Sequence, residues 1–236
     1  MIFFLTDPNL ILIAAAVIPA IALLVRVYRA DRLDREPPGL LISLILLGIF
    51  STSLAVVTER IGDALAPQYY PEGTLAYNLV VNFVVVACSE EGFKYLLLRL
   101  RTWRHPAFNC QFDGVVYAVF VSLGFALWEN ISYVLLYGFE TALLRAVTAV
   151  PGHACFGVFM GVFYGRAKRY DNEGKFGRSA LFRVFSVVFP VLLHGTYDFI
   201  ASSEADDTWA FLAFIVVMFT VSFFLVKKNS ASDRYI

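Results

Sequence analysis

Long apolar runs separated by short charged segments dominate this chain. They fall at roughly 9–28, 39–58, 75–98, 113–137, 143–165, 180–201 and 208–226. About 20 helical residues cross a hydrocarbon core of about 30 Å. The runs do not alternate apolar with polar, as a barrel strand would. In lipid a spanning segment must also satisfy its own backbone groups, which a helix does. The pattern predicts an all-α polytopic membrane protein: a single integral domain over residues 1–236 with about seven transmembrane helices. No internal repeat is visible, so an inverted-repeat transporter draws no support from symmetry.

Composition agrees. Of 236 residues, 59% are hydrophobic and 16% charged, and mean hydropathy is +0.69. A soluble chain is usually about 45–50% apolar and about 25% charged. Zero net charge argues against a nucleic-acid partner. Cys88, Cys110 and Cys155 match no zinc or redox spacing and read as apolar fillers and a free thiol.

Charge placement adds orientation. Arg26, Arg29, Arg32 and Arg35 follow the first run; Arg99, Arg101 and Arg104 follow the third. Arg166, Lys168, Arg169, Lys175, Arg178 and Arg183 follow the fifth; Lys227, Lys228 and Arg234 end the chain. The intervening segments hold Asp7, then Glu59, Asp63 and Glu72, then Glu140 with Arg145, then Glu204, Asp206 and Asp207. This alternation predicts the N-terminus outside and the C-terminus in the cytoplasm. Asp7 ahead of the first run, with no basic residue before it, reads as a retained helix rather than a cleaved signal peptide. The segment Arg166–Arg178 reads as a solvated basic loop.

Few ionisable groups remain inside the runs: Glu90, Glu91 and Lys94, then Glu129, His153, His194 and Asp198. An intramembrane charge costs at least about 2.5 kcal/mol and calls for a partner or a function. Lys94 stands three and four residues from the two glutamates, on a shared helical face. His194 and Asp198 are i,i+4, so the aspartate can fix one imidazole tautomer. Helical rise puts all of these about 12–24 Å from the basic loops, straddling the midplane. Gly157, Gly161 and Gly165 form a small-residue face that also carries His153, and Pro151-Gly152 just ahead of it is expected to loosen the helix. His105 sits in a basic loop and is given no role.

Carboxylates and imidazoles in one layer can activate water, shuttle protons or bind metal. Two histidines and Glu129 match the ligand types of a catalytic zinc site, although no HExxH motif is present. A divalent metal, zinc foremost, and a metal-free glutamate mechanism both stand. Residue types alone also leave a proton- or ion-coupled transporter, or a non-catalytic scaffold, open.

The order of motifs resembles the PrsW family of intramembrane proteases, related to the type II CAAX prenyl endopeptidases. Glu90-Glu91-Gly92-Phe93-Lys94 resembles its Glu-Glu-x-x-Lys motif. Phe125-Ala-Leu-Trp-Glu129-Asn130 resembles Phe-x-x-x-Glu-Asn. His153 stands for the histidine of the next helix, and His194-Gly-Thr-Tyr-Asp198 resembles His-x-x-x-Asp. The segment Asp31-Arg-Leu-Asp-Arg-Glu-Pro-Pro38 resembles the loop ahead of the second span. The CAAX enzymes carry a histidine where this chain has Glu129. The resemblance implies a multi-pass endopeptidase of a prokaryotic plasma membrane that cuts membrane proteins, such as a single-pass anti-sigma factor. Glu90, Glu91, Glu129, His153, His194 and Asp198 would be catalytic, with Lys94, Phe125 and Asn130 supporting them. His153, His194 and Glu129 would be the metal ligands. Glu90 is favoured as the base because it shares a face with Lys94.

Overall fold

The computed structural model describes residues 8–202 and 208–236. Asp7, Glu204, Asp206 and Asp207, counted above on the acidic side, lie outside the described residues. The described elements are α1 (Pro8–Ala30), α2 (Pro38–Tyr69), α3 (Leu75–Leu79), a π-helical stretch (Val80–Ala87), α4 (Cys88–Thr102), α5 (Asp113–Tyr137), α6 (Phe139–Val147), α7 (Ala149–Asn172), α8 (Phe176–Ala201) and α9 (Thr208–Ala231). Among the described residues, six helical segments are long and apolar enough to cross a membrane. The remaining expected span is the unbroken helical rod 75–102, divided in hydrogen-bond pattern by its π-helical centre and polar at Glu90, Glu91 and Lys94. The protein is an all-α polytopic membrane protein.

Three boundaries differ from those the apolar runs predict. Helix α2 continues beyond residue 58 to Tyr69, so Glu59 and Asp63 lie on a helix rather than in a connecting loop. Backbone bonding does not stop where apolarity does. The run 143–165 is broken between α6 and α7 at Thr148. Pro151 explains the break, because its ring meets the carbonyl four residues back and it has no N–H to donate. Pro151 therefore lies in the first turn of α7, where proline is tolerated, and loosens no helix interior. The expected loop 166–178 is mostly helix, since α7 runs to Asn172 and only a short turn precedes α8. Gly174, at φ 71°, supplies the left-handed residue that ends α7.

Helix α5 is the central element and packs against α7, α2, α1 and α4. Its residues from Asp113 to Ala126 are all buried. Contact with α7 is made backbone to backbone. A methyl group at Gly161 would strike the Gly114 carbonyl and Val115 Cα, and one at Gly165 the Gln111 carbonyl. The Gly157–Gly165 face is thus occupied by α5, in the close approach that small residues permit. Toward the basic-loop end, Phe108 stacks on Tyr164 at 5.2 Å and meets Tyr117 edge-on at 5.3 Å.

At that same end the C-terminal tail returns to the α4–α5 loop. Ile236 N–H donates to Asn109 O at 2.7 Å, and Gln111 N–H to Arg234 O at 3.0 Å. Beneath the tail lie Asp31 and Glu36, 1% and 3% exposed, and Asp113 at 0%. Burial pushes Asp31 up to about 6, helped by repulsion from Asp233 and Asp34. Burial likewise pushes Glu36 up to about 7, partly offset by the Tyr117 hydroxyl.

Candidate functional site

Glu90 and Glu91 stand in the first turn of α4, immediately after the π-helical stretch. A π segment is rare, and its i→i+5 bonding alters the rotation at which the following side chains emerge. Phe83 within it fills space against α8 that a side chain at Gly195 would occupy. That fit seats the rod 75–102 beside His194.

The two glutamates, Lys94 and both intramembrane histidines converge. The Lys94 ammonium donates to Glu91 Oε1 at 2.7 Å and to Glu90 Oε2 at 3.0 Å. It also lies 3.2 Å from His153 Nδ1 and 3.8 Å from the centroid of the Phe125 ring. Phe125 thus caps the cation. Lys94 touches both carboxylates, so a shared face does not single out Glu90. His194 Nδ1 is 3.0 Å from Glu91 Oε1 and 3.8 Å from Glu90 Oε2. Its Nε2 is 3.2 Å from Asp198 Oδ2. Phe156 stacks on the His194 ring at 4.7 Å, and the two imidazoles meet edge-on at 5.4 Å.

Glu129 meets His153 from α5. Its Oε2 lies 2.9 Å from His153 Nε2 and 2.8 Å from Arg145 Nη2. It orients His153 and is itself paired with a guanidinium. Asn130 does not face the cluster. Its Nδ2 donates to Ala16 O at 2.9 Å, and its Oδ1 accepts from Arg145 Nε at 2.9 Å. It thereby ties α1 to the arginine that holds Glu129.

A cavity of about 530 Å³ borders the cluster. Glu90, Glu129, His153, His194 and Asp198 line it, whereas Glu91 and Lys94 are sealed behind them at 0% exposure. Glu59, Asn82, Trp128, Tyr133, Arg145 and Tyr197 also line it. Glu59 and Arg145 read from sequence as loop charges on the acidic side. The one signal for Arg145 was its sign, a lone cation in an acidic segment.

Ligand atoms of Glu90, Glu91, His153 and His194 all lie within 4.8 Å of one another. Glu91 Oε2 is buried without a hydrogen-bond partner. Two carboxylates and two imidazoles, with an unsatisfied oxygen among them, suit a divalent metal in donor type. The set pairs the histidines with Glu90 and Glu91 rather than with Glu129, whose near oxygen serves His153 and Arg145. Lys94 presently supplies the positive charge at its centre.

Comparison with known proteins agrees with this geometry. The family described as PrsW family intramembrane metalloprotease matches residues 36–226. A protein named Protease PrsW from Oceanobacillus iheyensis is 33% identical over 92% of this chain and 95% of its own. Its namesake from Halalkalibacterium halodurans is 33% identical over 94% and 99%, and that from Bacillus subtilis 31% over 92% and 94%. No solved structure matches the chain. The buried Glu-Glu-Lys triad facing two histidines is the candidate centre, and the chain belongs to the PrsW family of intramembrane metalloproteases.

Proposed function

We propose that the protein cleaves a membrane-protein substrate in the cavity beside Glu90, with Glu90 as general base. The observation that carries this reading is the asymmetry of the pair. Glu90 borders the cavity, whereas Glu91 is sealed beneath it between Lys94 and His194. A base must reach its water, and only Glu90 of the two does. Family membership favours hydrolysis over the transport alternative.

Glu90 would take a proton from a water in the cavity as its oxygen attacks the substrate carbonyl. The proton then passes to the amide nitrogen as the C–N bond breaks, leaving a carboxylate and an amine. His194, held by Asp198 and Glu91, is an imidazole of fixed orientation at the cavity wall. His153, held by Glu129, is the second, from α7. Lys94 cancels one of the two adjacent negative charges and fixes both side chains. Glu91, His153 and His194 would hold a divalent metal, with zinc the best match to this ligand mixture. When bound, the metal supplies polarisation of the water and of the scissile carbonyl.

The substrate is proposed to be a single-pass regulator such as an anti-sigma factor in a prokaryotic plasma membrane. The test is a cleavage assay in vesicles with such a substrate. Glu90→Gln, His153→Ala and His194→Ala should each reduce cleavage by at least about 100-fold while the protein stays folded, and metal analysis should find zinc lost from the two histidine variants. Full activity in Glu90→Gln would remove Glu90 from the role.

A further inference from the structure

The segment Asp31–Pro38 is not used by the catalytic centre, yet it carries two of the most buried acids in the protein. Asp31 precedes α2, Glu36 lies just before it, and Asp113 begins α5. One carboxylate oxygen from each lies within 4.8 Å of the other two. The group is at the basic-loop end, apart from the intramembrane cluster.

Its hydrogen bonding is incomplete. Asp113 Oδ2 accepts from Cys110 N–H at 2.6 Å and Asn109 N–H at 3.0 Å. Glu36 Oε2 accepts from the Tyr117 hydroxyl at 2.5 Å. Asp113 Oδ1 and both oxygens of Asp31 are buried with no partner. Asp31 is only 1% exposed and offers one of those oxygens to the group. Among the described residues, no lysine, arginine or histidine forms an ion pair with any of the three. Basic residues surround this face of the membrane, so the missing counter-charge is not for want of local cations.

Buried charges are normally paired or bind metal. We propose that Asp31, Glu36 and Asp113 form a site for a hard divalent cation, Ca²⁺ or Mg²⁺. Such ions take oxygen ligands at about 2.0–2.6 Å, so oxygens on opposite sides of one ion stand about 4–5 Å apart. The observed grouping fits that span. Three carboxylates exceed the charge of one such ion, and the Tyr117 hydroxyl and two backbone N–H groups address the remainder. The ion would clamp the α1–α2 connection to the start of α5, beside the returning C-terminal tail.

Thermal unfolding of the purified full-length protein tests this, with Ca²⁺ or Mg²⁺ added at millimolar concentration after chelation. The expected result is a rise in Tm of about 3–6 °C at saturation. The rise should disappear in Asp31→Asn and in Glu36→Gln, and persist in Glu91→Gln, which alters only the intramembrane cluster. Asp31→Asn should be at least as stable as wild type in chelator, because its oxygens have no protein partner to lose. No rise with either ion would overturn the proposal, as would a rise that survives Asp31→Asn.

Discussion

Glu90 and Glu91 share a lysine but not an environment. Glu91 contacts Lys94 and His194 and has no exposure; Glu90 contacts Lys94 and borders the cavity. Glu90→Gln should therefore reduce cleavage by about 10²–10⁴, the usual worth of a general base, with an unchanged Tm. Glu91→Gln should lose activity and stability together. Paired measurements of turnover and melting separate the two, and equal melting losses would mean that their roles are alike. Lys94 holds both carboxylates. Lys94→Met leaves two buried carboxylates facing each other, and losing one side of such a network costs about 3–5 kcal/mol. Its unfolding midpoint in detergent should fall accordingly. Asp198 meets the glutamate–lysine cluster only through His194, and it also borders the cavity. Asp198→Asn should lower activity by about 10–100-fold, read as reduced turnover with substrate binding retained.

At the scale of elements, the α5–α7 contact decides whether the histidine helix meets the glutamate helix. Gly161 sits against the backbone of α5 with no room for a methyl group. Gly161→Val should force the helices apart, cost at least about 1–3 kcal/mol and displace His153 from Glu129. A melting curve with an activity assay checks this; unchanged values in both would mean that the helices tolerate separation. The spans were legible in the sequence as apolar runs, and the glycine face and the intramembrane acids because each breaks that background. Glu59 and Arg145 were not. Helix α2 outlasts its apolar run, and Arg145 lies on a short amphipathic helix, so both read as ordinary loop charges. The true partner of Glu129 was hidden for the same reason. Nor did the apolar run 75–98 announce its π-helical centre, since hydropathy carries no information on hydrogen-bond register.

Across the whole molecule, the cavity is not centred between the two faces. Its lining comes from the later part of α2 at Val56 and Glu59, the π-helical stretch at Asn82, and α5 from Phe125 to Tyr133. Arg145, Ala201 at the end of α8 and Ser202 just beyond it also line it. Apart from Phe125, at the middle of α5, these lie toward the acidic-loop ends of their segments, and the charge rule assigns that face to the exterior. Water and substrate should thus reach Glu90 from outside the cell. Ser132 lines the cavity, and Lys175 is exposed in the turn before α8. In a background with Cys88, Cys110 and Cys155 replaced, Ser132→Cys should react with a membrane-impermeant maleimide in intact cells. Lys175→Cys should react only in inverted vesicles. The reverse pattern would turn the protein over, and labelling of Ser132→Cys from neither side would mean that the cavity is closed to water until substrate arrives.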